Sequence, residues 1–384
     1  MYLLNQCVKA NIGVLMMKYG RTKKQGRYMK KLITFIITFL LIILAIIYFT
    51  YGKEFLTLLD ENKVYNVENL QTVKLDTLDK FKFFSNGIVT YNNQKIEFLD
   101  YSNNVVWKDE DGAFSSRVFV TDNHVFVNME DTIQVLDKNN QKFILAGIEG
   151  EMVNVSRENG KTYIIMKNDS GQNFLCIMND NNEIIEDNKV FDGSITGVSI
   201  SDKSEGYSVI TLRFENGAVT NTVYFDLLDD VELWNVLIED EILIKTRIIN
   251  NNVVVISTDN VYYFNTNGKL MWKNGIYNKI LDCEINKENQ RIYILFKKDG
   301  ATELISYNFE GKVTEVSKTP ENVQKLKVYG DKIFVYNENS IYLLHGTKAD
   351  KIYENTEGII SEFRLEGSNI RILSKDKLVM GQIK

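Results

Sequence analysis

A unit of about 41 residues recurs along most of this 384-residue chain, and such a period restricts the chain to repeat folds. The clearest position in the unit is a tight polar turn followed at once by a run of β-forming residues. The eight copies of this turn are Asn86-Gly87, Asn123-His124, Asn159-Gly160, Glu205-Gly206, Asn251-Asn252, Asn289-Gln290, Gly330-Asp331 and Gly367-Ser368. Asn-Gly and related pairs supply the positive φ angles that two-residue hairpins need. Each unit is therefore expected to contain a β-hairpin.

Two further positions complete the unit. A polar residue ends the next strand before another turn, and it is found at Asp100, Asp137, Asn179, Asp226, Asn265, Asn308 and His345. All three tryptophans of the chain follow that turn, at Trp107, Trp234 and Trp272. Each unit is thus predicted to be four strands, A to D, joined in order by a hairpin, a loop and a polar turn.

A repeated four-stranded sheet of this length is the blade of a β-propeller. Residues 53–384 hold about eight such units, which predicts an all-β, eight-bladed propeller, with seven blades as the alternative. The last unit ends without a strand D, whereas a strand-like piece, Asn69–Leu75, precedes the first unit. We expect this piece to pair with Leu378–Ile383 and close the ring, because an unpaired edge strand is a liability.

The charge of the chain is split between its two ends. Residues 1–52 carry eight lysines and arginines and no acid, whereas the rest carries 37 basic and 51 acidic residues. The uncharged run at residues 32–52 follows the basic cluster, and its 21 residues match the ~20 that span a bilayer. We therefore expect a basic cytoplasmic tail (1–31), a single-pass transmembrane signal anchor (32–52), a juxtamembrane linker (53–68) and an extracytoplasmic propeller (69–384), held at the cell membrane.

Two alternatives at the N-terminus stay open. A cleaved signal peptide would have a shorter apolar region that ends in a small-x-small site, and the sequence Ile46-Ile47-Tyr48-Phe49 offers none. Met29 is a second candidate start, which would make the first 28 residues an upstream extension.

The order of polar turn residue, Asn or Gly, apolar pair and tryptophan resembles the quinoprotein-type (PQQ-like, WD40-like) propeller repeat, most clearly at Asp100–Trp107 and Asn265–Trp272. The resemblance implies eight blades and tryptophans that dock neighbouring blades. The resembling dehydrogenases hold a quinone cofactor and carry a vicinal cysteine pair, whereas this chain has three separated cysteines, so we expect no cofactor. With its basic tail and anchor, the chain also looks like a family of membrane-anchored bacterial propellers of unknown function.

The sequence offers few groups for catalysis. His124 and His345 fall at turn positions of different units, and Cys176 and Cys283 lie three units apart, too far for a disulfide. No phosphate-binding loop, dinucleotide-binding glycine motif or nucleophile elbow is present. The acidic outer segment disfavours nucleic acid as a partner. We therefore predict no catalytic residue, no metal ligand and no nucleic-acid binding.

The remaining candidates are loops. The acidic residues expected in interaction loops are Asp109, Glu110, Asp111, Asp229, Asp230, Glu239, Asp240 and Glu241. The loops at residues 109–112 and 239–241 lack the alternating spacing of a calcium loop, so solvated loops are favoured over calcium sites. The acidic segment 229–241 suits a basic partner through electrostatic steering. Three segments also differ between units, namely Lys167–Asn173, Asn188–Thr196 and residues 229–241.

These features favour a membrane-tethered extracytoplasmic propeller that binds a protein or an envelope polymer. The alternative is an extracytoplasmic enzyme or small-ligand sensor, which would need polar groups converging on the central funnel from several inner strands. A purely structural member of an envelope machine is a third hypothesis, and it rests on the fold alone.

Overall fold

The computed structural model describes residues 32–40, 63–76, 79–110, 117–129, 132–145, 147–148, 150–202, 206–215, 217–228, 231–276, 278–346 and 348–384. The chain divides into two units, residues 1–63 and 64–384. In the first unit, residues 32–40 form a helix, α1. No helix among the described residues is long and apolar enough to cross a bilayer. The predicted tail (1–31) and the remainder of the predicted anchor (41–52) lie outside the described residues.

The second unit consists of eight four-stranded antiparallel sheets, which confirms eight blades over seven. Blades 1 and 2 contain β2 (Lys80–Phe84), β3 (Gly87–Tyr91), β4 (Ile96–Asp100), β5 (Val105–Asp109), β6 (Val118–Val120), β7 (His124–Asn128), β8 (Ile133–Asp137) and β9 (Lys142–Leu145). Blades 3 and 4 contain β10 (Glu151–Glu158), β11 (Lys161–Lys167), β12 (Asn173–Met178), β13 (Ile184–Val190), β14 (Ser194–Ile200), β15 (Gly206–Glu215), β16 (Ala218–Leu227) and β17 (Val231–Glu239).

The remaining blades continue the same pattern. Blades 5 and 6 contain β18 (Leu243–Ile249), β19 (Asn252–Ser257), β20 (Asn260–Phe264), β21 (Leu270–Gly275), β22 (Lys279–Asn286), β23 (Arg291–Lys298), β24 (Ala301–Asn308) and β25 (Val313–Lys318). Blades 7 and 8 contain β26 (Lys325–Tyr329), β27 (Lys332–Tyr336), β28 (Ser340–His345), β29 (Lys348–Glu354), β30 (Ile360–Glu366), β31 (Asn369–Ser374), β32 (Lys377–Ile383) and β1 (Val67–Lys74).

The ring closes where the sequence predicts. β1 pairs with β32 and supplies the missing outer strand of blade 8, with Val73 opposite Leu378 and Gln71 opposite Met380. The pairing extends at both ends, because Leu75 N donates to Asp376 O at 2.8 Å and Lys384 N donates to Asn66 O at 3.1 Å. Strands from the two ends of the propeller sequence thus share one ladder.

The hydrophobic core is divided among the junctions between blades. Eight clusters of buried apolar residues lie among the described residues, and each joins two consecutive blades. The cluster that contains Phe83, Leu99, Leu373 and Leu378 joins blade 8 to blade 1, so the series is circular. Radial sheets packed face to face in a closed series are the architecture of a β-propeller.

Candidate binding surface on blade 4

The three tryptophans connect neighbouring blades. Each lies in the outer strand of its blade and donates its indole N–H to a backbone carbonyl in the next blade's polar turn, from Trp107 to Lys138 (3.1 Å), from Trp234 to Thr266 (3.1 Å) and from Trp272 to Phe309 (3.0 Å). Gly268 and Gly311, both at positive φ, lie directly beneath the rings of Trp234 and Trp272. The indoles therefore hold the outer edge of the propeller together.

Five of the polar turn residues form the same Asx turn. Their side-chain oxygen accepts two backbone N–H groups, two and four residues further on, at 2.8–3.1 Å, and they are Asp100, Asp137, Asn179, Asn265 and Asn308. This side-chain arrangement closes a short turn without help from a ligand. It fixes the carbonyls that receive the tryptophan N–H groups.

Asp226 and His345 occupy the same repeat position and make different contacts. In blade 4 the ladder continues to Leu227, so Asp226 is a fully buried strand residue whose carboxylate oxygens accept no hydrogen bond. Its nearest cation is Lys189 Nζ at 3.7 Å, and burial raises the pKa of Asp226 to about 7. The Nε2 of His345 lies 2.7 Å from Asp350, and its ring packs edge-on against Tyr65.

The acidic residues predicted for interaction loops have varied surroundings. Asp109 is buried in β5 and paired with Lys142 of blade 2 at 2.8 Å, and Glu110 is paired with Lys108 at 2.5 Å. Asp111, Asp229 and Asp230 lie outside the described residues. Across the described part of the chain, no three His, Cys, Asp or Glu side chains are grouped so as to hold a metal ion.

Residues 229–241, interpreted above as a variable loop, are mainly the outer strand β17. Glu239 is exposed, and Asp240 turns the chain at a φ of 61°. Glu241 is anchored in blade 5, where its carboxylate accepts hydrogen bonds from Asn260 (2.8 Å), Ser257 and Tyr262. These bonds lower the pKa of Glu241 against the opposing effect of burial. Glu241 is therefore a structural contact between blades 4 and 5.

The inner strands are linked at the axis by polar contacts. At each of the eight junctions, a hydrogen bond joins the inner-strand regions of two consecutive blades. Written from donor to acceptor, these bonds are Ser85 N to Asp122 O (2.8 Å), Arg117 Nη1 to Met152 O (3.2 Å), Ile200 N to Glu158 Oε2 (3.2 Å), Ile248 N to Ser199 Oγ (2.9 Å), Lys245 Nζ to Cys283 O (3.0 Å), Leu326 N to Asp282 Oδ2 (2.8 Å), Lys327 Nζ to Phe363 O (2.7 Å) and Arg364 Nη2 to Phe83 O (3.3 Å). Many of the charged side chains near the axis are therefore engaged in holding the ring.

Blade 4 differs from its neighbours in the length of its central hairpin. β15 and β16 have ten residues each, whereas β11 and β12 of blade 3 have seven and six, and β19 and β20 of blade 5 have six and five. Two of the extra pairs, Gly206–Leu227 and Tyr207–Asp226, lie at the base of the hairpin, and each of the other extra residues extends it by about 3.3 Å towards its tip. Near its end, the Phe214 side chain is 71% exposed, more than any other described phenylalanine of the propeller.

A groove of about 740 Å³ lies beside this hairpin. It is lined by Ser170–Asn173 of blade 3, by residues 190–194 between blades 3 and 4, and by Leu212–Glu215 of β15. The Arg213 guanidinium is paired with Asp192 and lies 3.4 Å from Glu215. Gly193, at a φ of +97°, packs against β15 so closely that a Cβ would lie 2.8 Å from Leu212 O. Two of the three variable segments thus meet the hairpin and form one surface.

The hairpin itself was not predicted as a binding element. The repeat predicts only an ordinary strand over Tyr207–Leu212, after the Glu205-Gly206 turn, although the later dipeptide Asn216-Gly217 is a strong signal for a second turn. Phe214, a large apolar residue, lies close to this dipeptide in the sequence. The sequence signal for a binding element at this hairpin was therefore an aromatic residue two positions before Asn-Gly.

Residues 60–378 match a family described as a family of unknown function (DUF5711). The chain belongs to this family. No curated protein matches the chain. Among solved structures, this DUF5711 propeller is similar to BamB from Moraxella catarrhalis, with a TM-score of 0.53 and 10% identity over 82% of this chain and 99% of that chain. A likeness at this identity supports the propeller fold alone.

Two more solved structures are similar to parts of the DUF5711 chain. Apo AztD from Citrobacter koseri has a TM-score of 0.47 and 10% identity, over 77% of this chain and 96% of that chain. The WD40 domain of Pan2 from Neurospora crassa has a TM-score of 0.43 and 7% identity, over 79% of this chain and 88% of that chain.

Proposed function

We propose that this DUF5711 protein is a membrane-tethered extracytoplasmic propeller that binds a protein partner through the blade 4 surface, which comprises the β15–β16 hairpin and the adjoining groove. The observation that carries the proposal is the exposure of Phe214 on a hairpin longer than those of the neighbouring blades. Aromatic side chains that fill a pocket on a partner supply much of the binding energy at protein interfaces.

The surroundings of Phe214 suit a polar rim around an apolar anchor. Arg213, Asp192 and Glu215 form an ion-paired group that lines the same groove as Phe214, and Ser170 and Gln172 of blade 3 add hydrogen-bonding groups to its lining. Interfaces commonly combine an apolar centre with such a rim. The two acids against one arginine favour a partner segment that presents basic or hydrogen-bond-donating groups around an apolar pocket.

The tether is part of the same proposal. The described portion of the predicted anchor, α1, exposes apolar side chains, with Leu32 at 59% and Phe35 at 69%. The Thr38 hydroxyl donates to the Thr34 carbonyl at 2.8 Å, so this hydroxyl is satisfied within the helix, as a hydrocarbon environment requires. The basic residues before the run favour a cytoplasmic N-terminus.

Photo-crosslinking in cells tests the blade 4 surface. A photoreactive phenylalanine analogue at position 214 should give a discrete adduct with one protein, whereas the same analogue at Val316 should not. Val316 is a matched control, because it is 58% exposed on the outer strand of blade 6. The proposal is wrong about the surface if both positions give the same adducts, or if position 214 gives none while Val316 gives one.

Cysteine labelling tests the topology. In a Cys7→Ser background, Lys312→Cys offers a side-chain position that is 75% exposed, while Cys176 and Cys283 are buried. A membrane-impermeant maleimide should label Lys312→Cys equally in intact and lysed cells. Labelling only after lysis would place the propeller on the cytoplasmic side and contradict this part of the proposal.

A further inference from the structure

A second cavity lies on the propeller axis and is lined by different residues from the blade 4 groove. Its volume is about 220 Å³, and residues from blades 8, 1, 2 and 3 line it, among them Lys82, Asp122, Arg157, Glu362 and Arg364. Drug-sized ligands occupy roughly 300–1,000 Å³, and a water molecule takes about 30 Å³. A ligand of this cavity is therefore small, equivalent to roughly seven water molecules.

Cations from three blades converge on this cavity. Lys82 belongs to blade 1, Arg157 to blade 3 and Arg364 to blade 8, whereas Asp122 and Glu362 are the two acids in the lining. Arg364 is held in place by Phe83, because its Nη2 donates to the backbone carbonyl at 3.3 Å and its guanidinium lies 5.0 Å from the ring centre. The Asp122 carboxylate is bound to the same guanidinium and is 62% exposed.

Lys82 is the least engaged of these cations. Its Nζ lies 4.0 Å from Glu362 Oε2, which is the outer limit for an ion pair, and its side chain is 54% exposed. The pKa of the neighbouring Lys327 is lowered mainly by burial; among the nearby charges, Glu362 and Glu284 raise it, whereas Arg364 and Lys82 lower it. Three cations and two acids line the cavity, which gives its lining a formal charge of +1, although residues 53–384 carry 51 acidic and only 37 basic residues.

We propose that the axial cavity binds a small anion that carries a phosphate or carboxylate group, held by Lys82 and Arg364. The planar guanidinium matches the oxygens of either group, and the ammonium adds a movable point charge. The Asp122 carboxylate occupies Arg364 in the structure, and a ligand oxyanion competes with it for the same N–H groups. This site does not depend on the partner surface proposed for blade 4.

Calorimetric titration of the full chain tests the site at low salt, with inorganic phosphate and succinate as separate ligands and erythritol as the neutral control. We expect one of the two anions to bind and erythritol not to bind. Lys82→Gln should weaken binding about tenfold, because one cation in contact with the ligand is lost. The matched control is Lys80→Gln, which lies two residues earlier on β2, outside the cavity lining, and should leave binding unchanged.

Glu362→Gln provides a result that a merely structural role would not give. Removal of this negative charge should tighten anion binding several-fold, because Glu362 neutralises Lys82 and opposes an incoming anion. The proposal is overturned if neither anion binds more tightly than about 10 mM. It is also overturned if Lys82→Gln and Lys80→Gln weaken binding equally, or if Glu362→Gln weakens it.

Discussion

Replacement of Asp226 by asparagine should change how the stability of the propeller depends on pH. The Asp226 carboxyl is fully buried in β16, and neither oxygen accepts a hydrogen bond. Burial is the main cause that raises its pKa from 3.8 to about 7; Lys189 opposes the rise, and Glu232 and Glu186 add to it. The folded protein therefore keeps this proton at pH values where the unfolded chain has lost it.

The sign follows from that difference in bound protons. Between the unfolded pKa near 4 and the folded pKa near 7, the folded state binds more protons, so the free energy of unfolding falls as the pH rises and is level above about pH 7. At about 1.4 kcal/mol per pKa unit, the loss between pH 5 and pH 8 is about 3 kcal/mol. At about 2 cal/mol/K per residue for a propeller of some 320 residues, this is about 4 °C in Tm.

Thermal unfolding followed by circular dichroism at pH 5 and pH 8 measures the effect. The difference in Tm between Asp226→Asn and the parent protein should be about 4 °C higher at pH 8 than at pH 5, because only the parent is destabilised as the pH rises. Asp137→Asn is the matched control, because Asp137 forms an Asx turn that asparagine forms at Asn265 and Asn308. If the difference for Asp226→Asn is the same at both pH values, the argument from burial is refuted.

Two further predictions concern the contacts between blades and the closure of the ring. Trp272→Phe should lower the free energy of unfolding by about 1 kcal/mol, because it loses the 3.0 Å hydrogen bond to Phe309 O. Trp272→Ala should lower it by about 3 kcal/mol, because the packing of the ring is lost as well. Denaturant titration measures both, and an unchanged free energy of unfolding for Trp272→Phe would contradict the role of the N–H. Gly381→Val should displace β1, because a Cβ at Gly381 collides with the Val67 side chain and lies 3.0 Å from Glu68 O. Limited proteolysis should then cut the chain within Val67–Lys74. An unchanged digest would count against this closure of the ring.

The repeat and the closure of the ring were predictable because both depend on local signals. Asn-Gly and Gly-Ser pairs set the hairpins, and the missing strand D at the C-terminus has one available substitute, which is β1. The Asx turns are likewise local, since one side chain closes a turn of a few residues. These features need no knowledge of which blades become neighbours.

The blade 4 surface and the axial cavity depend on neighbours that are distant in sequence. Lys82 and Arg364 line one cavity although 282 positions separate them, and no pattern along the chain marks that encounter. Asp226 illustrates the same limit, because its repeat position predicted a turn, while the longer ladder of blade 4 buries it. Strand length is decided by cross-strand pairing and packing, which a repeat position does not encode.

The most direct test of the blade 4 proposal is hydrogen exchange measured by mass spectrometry on the protein in isolated cell envelopes and on the purified protein. Peptides that cover Gly206–Leu227 should exchange several-fold more slowly in the envelope, where the partner is present. Peptides that cover Arg291–Asn308, the blade 6 hairpin with eight residues in each strand, should exchange alike in both samples. Equal exchange of Gly206–Leu227 in the two samples, or protection confined to Arg291–Asn308, would contradict a binding surface on blade 4.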